Sequence, residues 1–228
     1  GLTPELLPMI ISVNLSKGAM AMSKKGVIVK RLASIENFGS MDVLCTDKTG
    51  TLTENKIALV KYLDPEGNDS DKVLLYSYLN SYLQTGLKSP LDDAIVGYRH
   101  IDISGYQKID EIPFDFVRRR LSIAVSRGSE QILISKGAPE EILQICSSVE
   151  VDGKIEALTD DGEERINRLY NELSADGFRT LAVCYRSLHD GRTQFSINDE
   201  QGMIIVGLIS FIDPPKESAI ESVQMLVS

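Results

Sequence analysis

Tryptophan is absent from this 228-residue sequence, histidine occurs twice and cysteine three times. That scarcity excludes a zinc-finger type of metal centre. Cys45, Cys146 and Cys184 are far apart, and none stands at ligand spacing to His100 or His189. An odd number of scattered cysteines reads as reduced thiols rather than a disulfide framework. Basic residues are in the minority, with 24 Lys and Arg against 33 Asp and Glu for a net charge of −9. A surplus of acid argues against a general nucleic-acid binder. Internal repeats and low-complexity tracts are missing, and so is an apolar run of the roughly twenty residues that a bilayer requires. What remains is 43% hydrophobic and 25% charged, a globular composition long enough for one large or two small domains.

The first thirteen residues, Gly1 to Val13, are apolar apart from one Glu, and two prolines interrupt them. They lack the basic leading region and small-residue cleavage site of a signal peptide, and by composition alone they read as a buried helix. From Leu15 to Lys25 the chain turns polar and basic. Gly26 to Leu32 reads as a strand and Ala33 to Phe38 as a short helix ended by Gly39. Further strands are expected at 57–63, 121–125, 131–134, 180–185 and 203–209. A buried helix is expected around Val73 to Leu83. Another starts at Ser89-Pro90-Leu91-Asp92, with Ser as N-cap, Pro at the first helical position and an acid at the third. Arg127-Gly128-Ser129 and Asp152-Gly153 have the chemistry of hairpin turns. Pro139 opens a short helix to Cys146. Asp160 and Glu163 are expected to cap a helix carrying Ile166, Leu169, Tyr170 and Leu173, which Gly177 closes. Asp213-Pro214-Pro215 makes a stiff joint before a final helix, 216–227.

The densest chemical signal is Asp47-Lys48-Thr49-Gly50-Thr51, after the apolar run Met41 to Thr46 that reads as a strand. A carboxylate at a strand end, followed by a small turn with free backbone N–H groups, is suited to attack on a phosphoryl group. Asp is a weak nucleophile in water, so a bound cation and fixed geometry are needed.

The nine residues Cys45 to Thr53 resemble the phosphorylation signature of P-type cation-transporting ATPases. The resemblance makes Asp47 the acceptor of the γ-phosphate of ATP and Thr49 a Mg²⁺ contact through its backbone carbonyl. It makes Lys48 and Thr51 neighbours of the phosphate. It implies an α/β and α+β architecture: a partial haloacid-dehalogenase-like Rossmann core, interrupted by an inserted nucleotide-binding domain with an antiparallel sheet flanked by helices. The expected divisions are 1–22 for the end of a transmembrane helix and its stalk, 23–56 for the first part of the phosphorylation domain, 57–209 for the nucleotide-binding domain, and 210–228 for a hinge and the start of the second part. Pro4-Glu5-Leu6-Leu7-Pro8 resembles a broken membrane helix of these pumps, which makes Glu5 a transported-ion ligand in the parent protein.

Four further pieces resemble the pumps' nucleotide-binding domain. Lys136-Gly137-Ala138-Pro139-Glu140 places Lys136 deep in the ATP pocket, where Gly137 lets the backbone approach a ligand. Phe114 is the expected adenine platform, whereas Phe116 reads as a core aromatic. Asp92 aligns with a carboxylate near the adenine amino group and also fits a purely local capping role. Arg179 aligns with an arginine that reaches the phosphates. At least one of Arg118 to Arg120 is expected to face the triphosphate, Arg118 first, because the overall charge repels it. Phe116 stands where calcium pumps carry an arginine.

The segments Gly1 to Ile10, Ser34 to Asp42 and Ser89 to Asp92 look most like the magnesium-importing subfamily. The implied cofactors are ATP and Mg²⁺. The implied partners are the remaining actuator, phosphorylation and transmembrane domains of a membrane-bound pump, with this region cytoplasmic. The family's second-strand Lys and its Gly-Asp-Gly-x-Asn-Asp loop do not occur here, so the chain is expected to bind ATP without full turnover. Alternatives are the same region of a Ca²⁺ or H⁺ pump, or a nucleotide-binding module without catalysis. A free-standing phosphatase of the dehalogenase class would need an acid where Thr49 stands.

Overall fold

The computed structural model describes residues 3–38, 40–54, 56–86, 88–189 and 191–227. The chain forms two compact units, 1–47 and 48–228.

In the first unit, α1 (Thr3–Ser23) is one continuous helix with Pro8 inside it, and α2 (Ser34–Phe38) follows a turn. The expected break at Pro4 to Pro8 is not seen. Pro4 falls in the first turn, where N–H groups have no intrahelical partner, so Pro8 alone removes a bond. Because the helix runs on through the polar stretch, Leu6–Ser23 is an exposed 18-residue span of mean hydropathy 1.2, long and apolar enough to cross a membrane. The sequence reading had found no such segment. The Glu5 side chain and Gly39 lie outside the described residues. The strands expected at 26–32 and 41–46 are irregular. A strand is stabilised by its ladder, and neither segment pairs with a strand among the described residues. A dehalogenase-like core is therefore not seen.

The second unit begins with a single π-type turn, Lys48–Leu52. Its elements are β1 (Ala58–Leu63), α3 (Asp71–Leu83), α4 (Pro90–Tyr98), β2 (Gln107–Asp115), β3 (Arg120–Arg127), β4 (Glu130–Gly137), α5 (Pro139–Leu143), β5 (Cys146–Val151), β6 (Lys154–Ala157), α6 (Asp160–Ala175), β7 (Arg179–Leu188), β8 (Met203–Ile212) and α7 (Glu217–Val227). The eight strands form one sheet in the order β2-β3-β4-β7-β8-β5-β6, with β1 also on β8. Every pairing is antiparallel except β5 with β8.

Period-two alternation along the strands gives the sheet two apolar faces. Leu121, Ile123 and Val125 of β3 face α3 and α4, with Val73, Leu74, Leu79, Leu91 and Ile95 packed above them. Ala124 of β3, Leu133 of β4 and Cys184 of β7 point the other way, into a core completed by Ile142, Leu143, Ile166 and Leu173 of α5 and α6. The result is a helix–sheet–helix sandwich, matching the expected antiparallel sheet flanked by helices. The helix over the second core is capped by Thr159, whose hydroxyl accepts from the Gly162 N–H at 3.3 Å. Asp160 and Glu163, expected as caps, lie instead in its first turn, where acids suit the positive end of the helix dipole.

One edge of β8 has two successive partners. β5 pairs with 203–205, then β1 with 208–212. Gly207 sits at the changeover with φ +147, and a Cβ there would lie 1.9 Å from the Leu63 carbonyl oxygen. Only glycine admits the end of β1 at that distance.

The first and last segments of this unit are tied together. Thr53 donates to Asp213 at 2.5 Å, Glu54 N–H to the Pro214 carbonyl at 2.9 Å, and Lys216 N–H to the Leu52 carbonyl at 2.8 Å. The Lys216 ammonium adds a bond to the Gly50 carbonyl at 2.6 Å. The Asp-Pro-Pro joint is thus clamped to the turn that follows Asp47.

Candidate nucleotide site

The strongest constellation lies where α3 and α4 meet the end of the β3–β4 hairpin. Lys136 is the penultimate residue of β4 and pairs in register with Leu121, on the face that α3 and α4 cover. It is 6% exposed, and its ammonium donates to Asp92 Oδ1 at 2.6 Å and to the Ser81 hydroxyl. Ser81 also donates to Asp92 Oδ1 at 2.9 Å. The other oxygen, Oδ2, accepts from the Ser89 N–H at 2.9 Å and hydroxyl at 2.7 Å, closing the capping box of α4.

Asp92 therefore has both its local role and a long-range one. Both its oxygens are engaged, Oδ1 by Lys136 and Ser81 and Oδ2 by Ser89. Burial alone would push the Asp92 carboxyl up, but the Lys136 ammonium and Ser89 together hold it well below the ordinary carboxylate range. Burial pushes the Lys136 ammonium below its ordinary range, and Asp92 offsets only part of that effect.

Phe114 lies near the end of β2. The β2–β3 register slips between Ile112 and Asp115, so Phe114 sits in an irregular stretch just before Asp115, which pairs with Arg120. Phe114 is 51% exposed and meets Phe116 edge-to-face, with centroids 5.4 Å apart and planes at 88°. Phe116, read from sequence as core, is 89% exposed. It lies beyond the last strand residue, in a turn that no helix covers. Glu111, two residues before Pro113 on the same strand, holds the chain after α3 by accepting from the Thr85 N–H and hydroxyl at 2.8 and 2.9 Å.

The three arginines of the β2–β3 turn divide sharply. Arg118 donates to both oxygens of Glu200 at 2.8 and 2.7 Å, and Arg120 Nε to the same carboxylate at 2.8 Å. Ser122, bonded to Ser135, also donates to Glu200 at 2.6 Å. Glu200 is 1% exposed, and a buried carboxylate must be paired, so it draws Arg118 and Arg120 to the second face. Arg118, expected from the sequence to face a triphosphate, here has its guanidinium on Glu200. Arg119 has φ +45 and keeps its head in solvent, paired to Glu140 and Glu141 at the start of α5.

Gly137 stands where the neighbouring strand leaves no room for a side chain. A Cβ there would lie 2.5 Å from the Arg119 carbonyl oxygen and 2.5 Å from Arg120 Cβ. The close approach is made by the neighbouring strand, and the Ala138 N–H bonds the Arg119 carbonyl at 3.0 Å. Arg179 is exposed at the entry of β7, opposite Phe211 of β8.

Asp47 is exposed, and Thr46 donates to its backbone carbonyl at 3.2 Å. Lys48 and Thr51 are exposed in the π-type turn, which Thr53 braces by donating its backbone N–H to the Lys48 carbonyl at 3.2 Å. The Thr49 side chain lies outside the described residues. Sequence reasoning missed Glu200 and Ser81. Glu200 lies 82 residues from Arg118 and had no short-range signal.

A family model described as "P-type ATPase, cytoplasmic domain N" matches residues 47–218. The chain is 45% identical over 232 residues to "Magnesium-transporting ATPase, P-type 1" of Escherichia coli (strain K12), covering 99% of this chain and 26% of that protein. The protein of the same name from Salmonella typhimurium (strain LT2) is 45% identical over 234 residues, with the same coverage of 99% and 26%. "Calcium-transporting ATPase 1" of Lactococcus lactis is 31% identical over 244 residues, covering 96% and 28%. The chain thus spans about a quarter of the length of the curated relatives it matches. With the helix–sheet–helix sandwich and the buried lysine in place, that match over most of its length makes this chain a member of the P-type ATPase family, carrying its cytoplasmic N domain.

Proposed function

We propose that this chain is the ATP-binding region, with part of the phosphorylation region, of a P-type ATPase that couples ATP hydrolysis to Mg²⁺ transport across a membrane. In this reading 57–209 bind nucleotide, 23–56 and 210–228 belong to a dehalogenase-like phosphorylation domain, and 1–22 end a transmembrane helix carrying Glu5. The observation that carries it is a buried lysine, Lys136, at the end of β4 in the same sheet whose strand β2 bears the half-exposed ring of Phe114 near its end. An aromatic platform and a fixed cation suit a base with an anionic tail.

Phe114 stacks the adenine, a contact worth on the order of 1–3 kcal/mol by analogy with base stacking. Lys136, held by Asp92 and Ser81, marks the floor of the pocket. Arg179, exposed at the entry of β7, is the cation this reading turns to the phosphates. Asp47 attacks the γ-phosphorus: the Asp47 oxygen–phosphorus bond forms, the bond to the β–γ bridging oxygen breaks, and ADP leaves with that electron pair. Mg²⁺ is characteristically held by one or two carboxylates plus substrate phosphates. Asp47 and the Thr49 carbonyl fit part of that set, flanked by Lys48 and Thr51. When bound, the ion neutralises charge on the transferring group.

The relatives named as magnesium-transporting favour Mg²⁺ as cargo over Ca²⁺, because identity falls from 45% to 31% between the two groups. The remaining actuator, phosphorylation and membrane domains of the pump are the partners this reading requires, with the present region on the cytoplasmic side. Titration of the chain with Mg-ATP, followed by NMR, tests the site. Saturable binding weakened tenfold or more in Phe114→Ala supports it, and unchanged affinity removes the adenine assignment. Labelled ATP with Mg²⁺ is expected to leave no appreciable acid-stable phosphoprotein. Robust labelling abolished by Asp47→Asn would overturn that second expectation.

A further inference from the structure

The turn after β2 exposes more apolar ring than its fold requires. Phe116 is 89% exposed and Val117 85%, yet the backbone around them is firmly set. Asp115 accepts the Val117 N–H at 2.6 Å, and its carbonyl accepts the Arg119 N–H at 2.7 Å. Arg118 and Arg120 anchor the same turn to Glu200 from behind. A turn fixed at both ends, with an aromatic residue standing clear of the core, is a poor use of a phenylalanine for stability. The ring stands at 88° to Phe114 with centroids 5.4 Å apart. Two perpendicular rings make an inside corner, with one as platform and the other as wall.

We propose that Phe116 is a second base-contacting residue, forming the wall against which a purine stacked on Phe114 comes to rest, and that it favours purine over pyrimidine nucleotides. The inference rests on the proposed adenine site and deepens it. A purine stacked on Phe114 has the breadth to meet the adjacent ring. A single-ring base centred on the same platform falls short of it. Because Phe116 is uncharged and turned to the base, its contribution is separate from phosphate binding. The residue therefore acts on base choice, not on the salt-dependent part of the affinity.

The test is calorimetric titration of the whole chain with ATP, CTP and inorganic tripolyphosphate. The proteins compared are wild type, Phe116→Ala, Phe116→Tyr and Phe114→Ala. Phe116→Ala is expected to weaken ATP three- to tenfold, CTP less than twofold and tripolyphosphate not at all. Phe116→Tyr should restore ATP binding. Since the side chain is almost wholly exposed, the variant should keep the wild-type amide NMR spectrum away from 113–119. Wild-type ATP affinity in Phe116→Ala, with loss in Phe114→Ala, overturns the wall and leaves the platform standing. Equal loss of ATP, CTP and tripolyphosphate also overturns it, because the ring would then act through the turn and its arginines. No effect from either phenylalanine removes both the wall and the adenine site.

Discussion

The Lys136 ammonium lies 2.6 Å from Asp92 Oδ1, joining the end of β4 to the first turn of α4 across 44 residues of sequence. The same carboxylate closes the capping box of α4 through Ser89. A single side chain thus positions the site lysine and starts the helix above it. Neither group can be removed alone without stranding the other. A buried ion pair is a weak net stabiliser, but breaking one partner leaves an uncompensated charge.

Asp92→Asn is expected to destabilise the chain by about 3–5 kcal/mol, the usual cost of orphaning a buried charge. Lys136→Met alone should cost less, because Ser81 and Ser89 still bond the carboxylate. The double variant should recover much of the Asp92→Asn loss. Urea midpoints of the four proteins check this. Additive losses would show that the two groups act independently.

Acid should expose the same pair. The Asp92 carboxyl titrates lower in the folded chain than its ordinary value of 3.8. The stability it contributes is therefore complete above about pH 4 and is lost as pH falls through the folded value. The stability gap between wild type and Asp92→Asn should stay level from pH 7 to pH 5 and narrow below pH 4. A gap that is unchanged at pH 3 would contradict the linkage.

Glu200 should matter out of proportion to its distance in sequence. It is the common partner of Arg118, Arg120 and Ser122. Glu200→Ala leaves two guanidinium groups facing a buried space and is expected to cost about 3–5 kcal/mol. It should also loosen the turn bearing Phe116 and Arg119. Hydrogen exchange at 116–120 should quicken, and ATP affinity should fall. Normal exchange in a folded variant would detach Glu200 from the site.

What the sequence made legible was local. The Ser89 capping box, the Gly128 and Asp152-Gly153 turns and the alternation of β3 are each written within a few residues, and each appears in the structure. Lys136, Gly137 and Phe114 were singled out through their flanking pattern, and register sets Lys136 and Gly137 opposite Leu121 and Arg120. What was not legible depends on chain segments far apart. Arg118 looked free for phosphate until Glu200, 82 residues on, was seen to take it. Asp92 could be read as a cap, but not as the counter-ion of a lysine on another strand. The runs at 26–32 and 41–46 have strand-like composition, and composition cannot supply a ladder.

Gly137 offers the sharpest contrast with an unconstrained glycine. A methyl group at 137 meets backbone: the Arg119 carbonyl oxygen at 2.5 Å and Arg120 Cα at 2.8 Å. Backbone cannot swing aside as a side chain does, so β3 must move away from β4 at the point where Ala138 bonds Arg119. Overpacking of this kind costs about 1–3 kcal/mol. Gly137→Ala should therefore lower the urea midpoint and weaken ATP binding together, since Lys136 and the Phe116 turn both hang from the displaced strands. Gly97 lies in α4 with nothing within 4 Å of a Cβ. There Ala should be neutral or stabilise by about 0.4–1 kcal/mol, because it removes unfolded-state freedom and improves helix propensity. If the two variants behaved alike, the loss at 137 would have to come from glycine flexibility in general, and the close packing of Arg119 against Gly137 would carry no weight in the site.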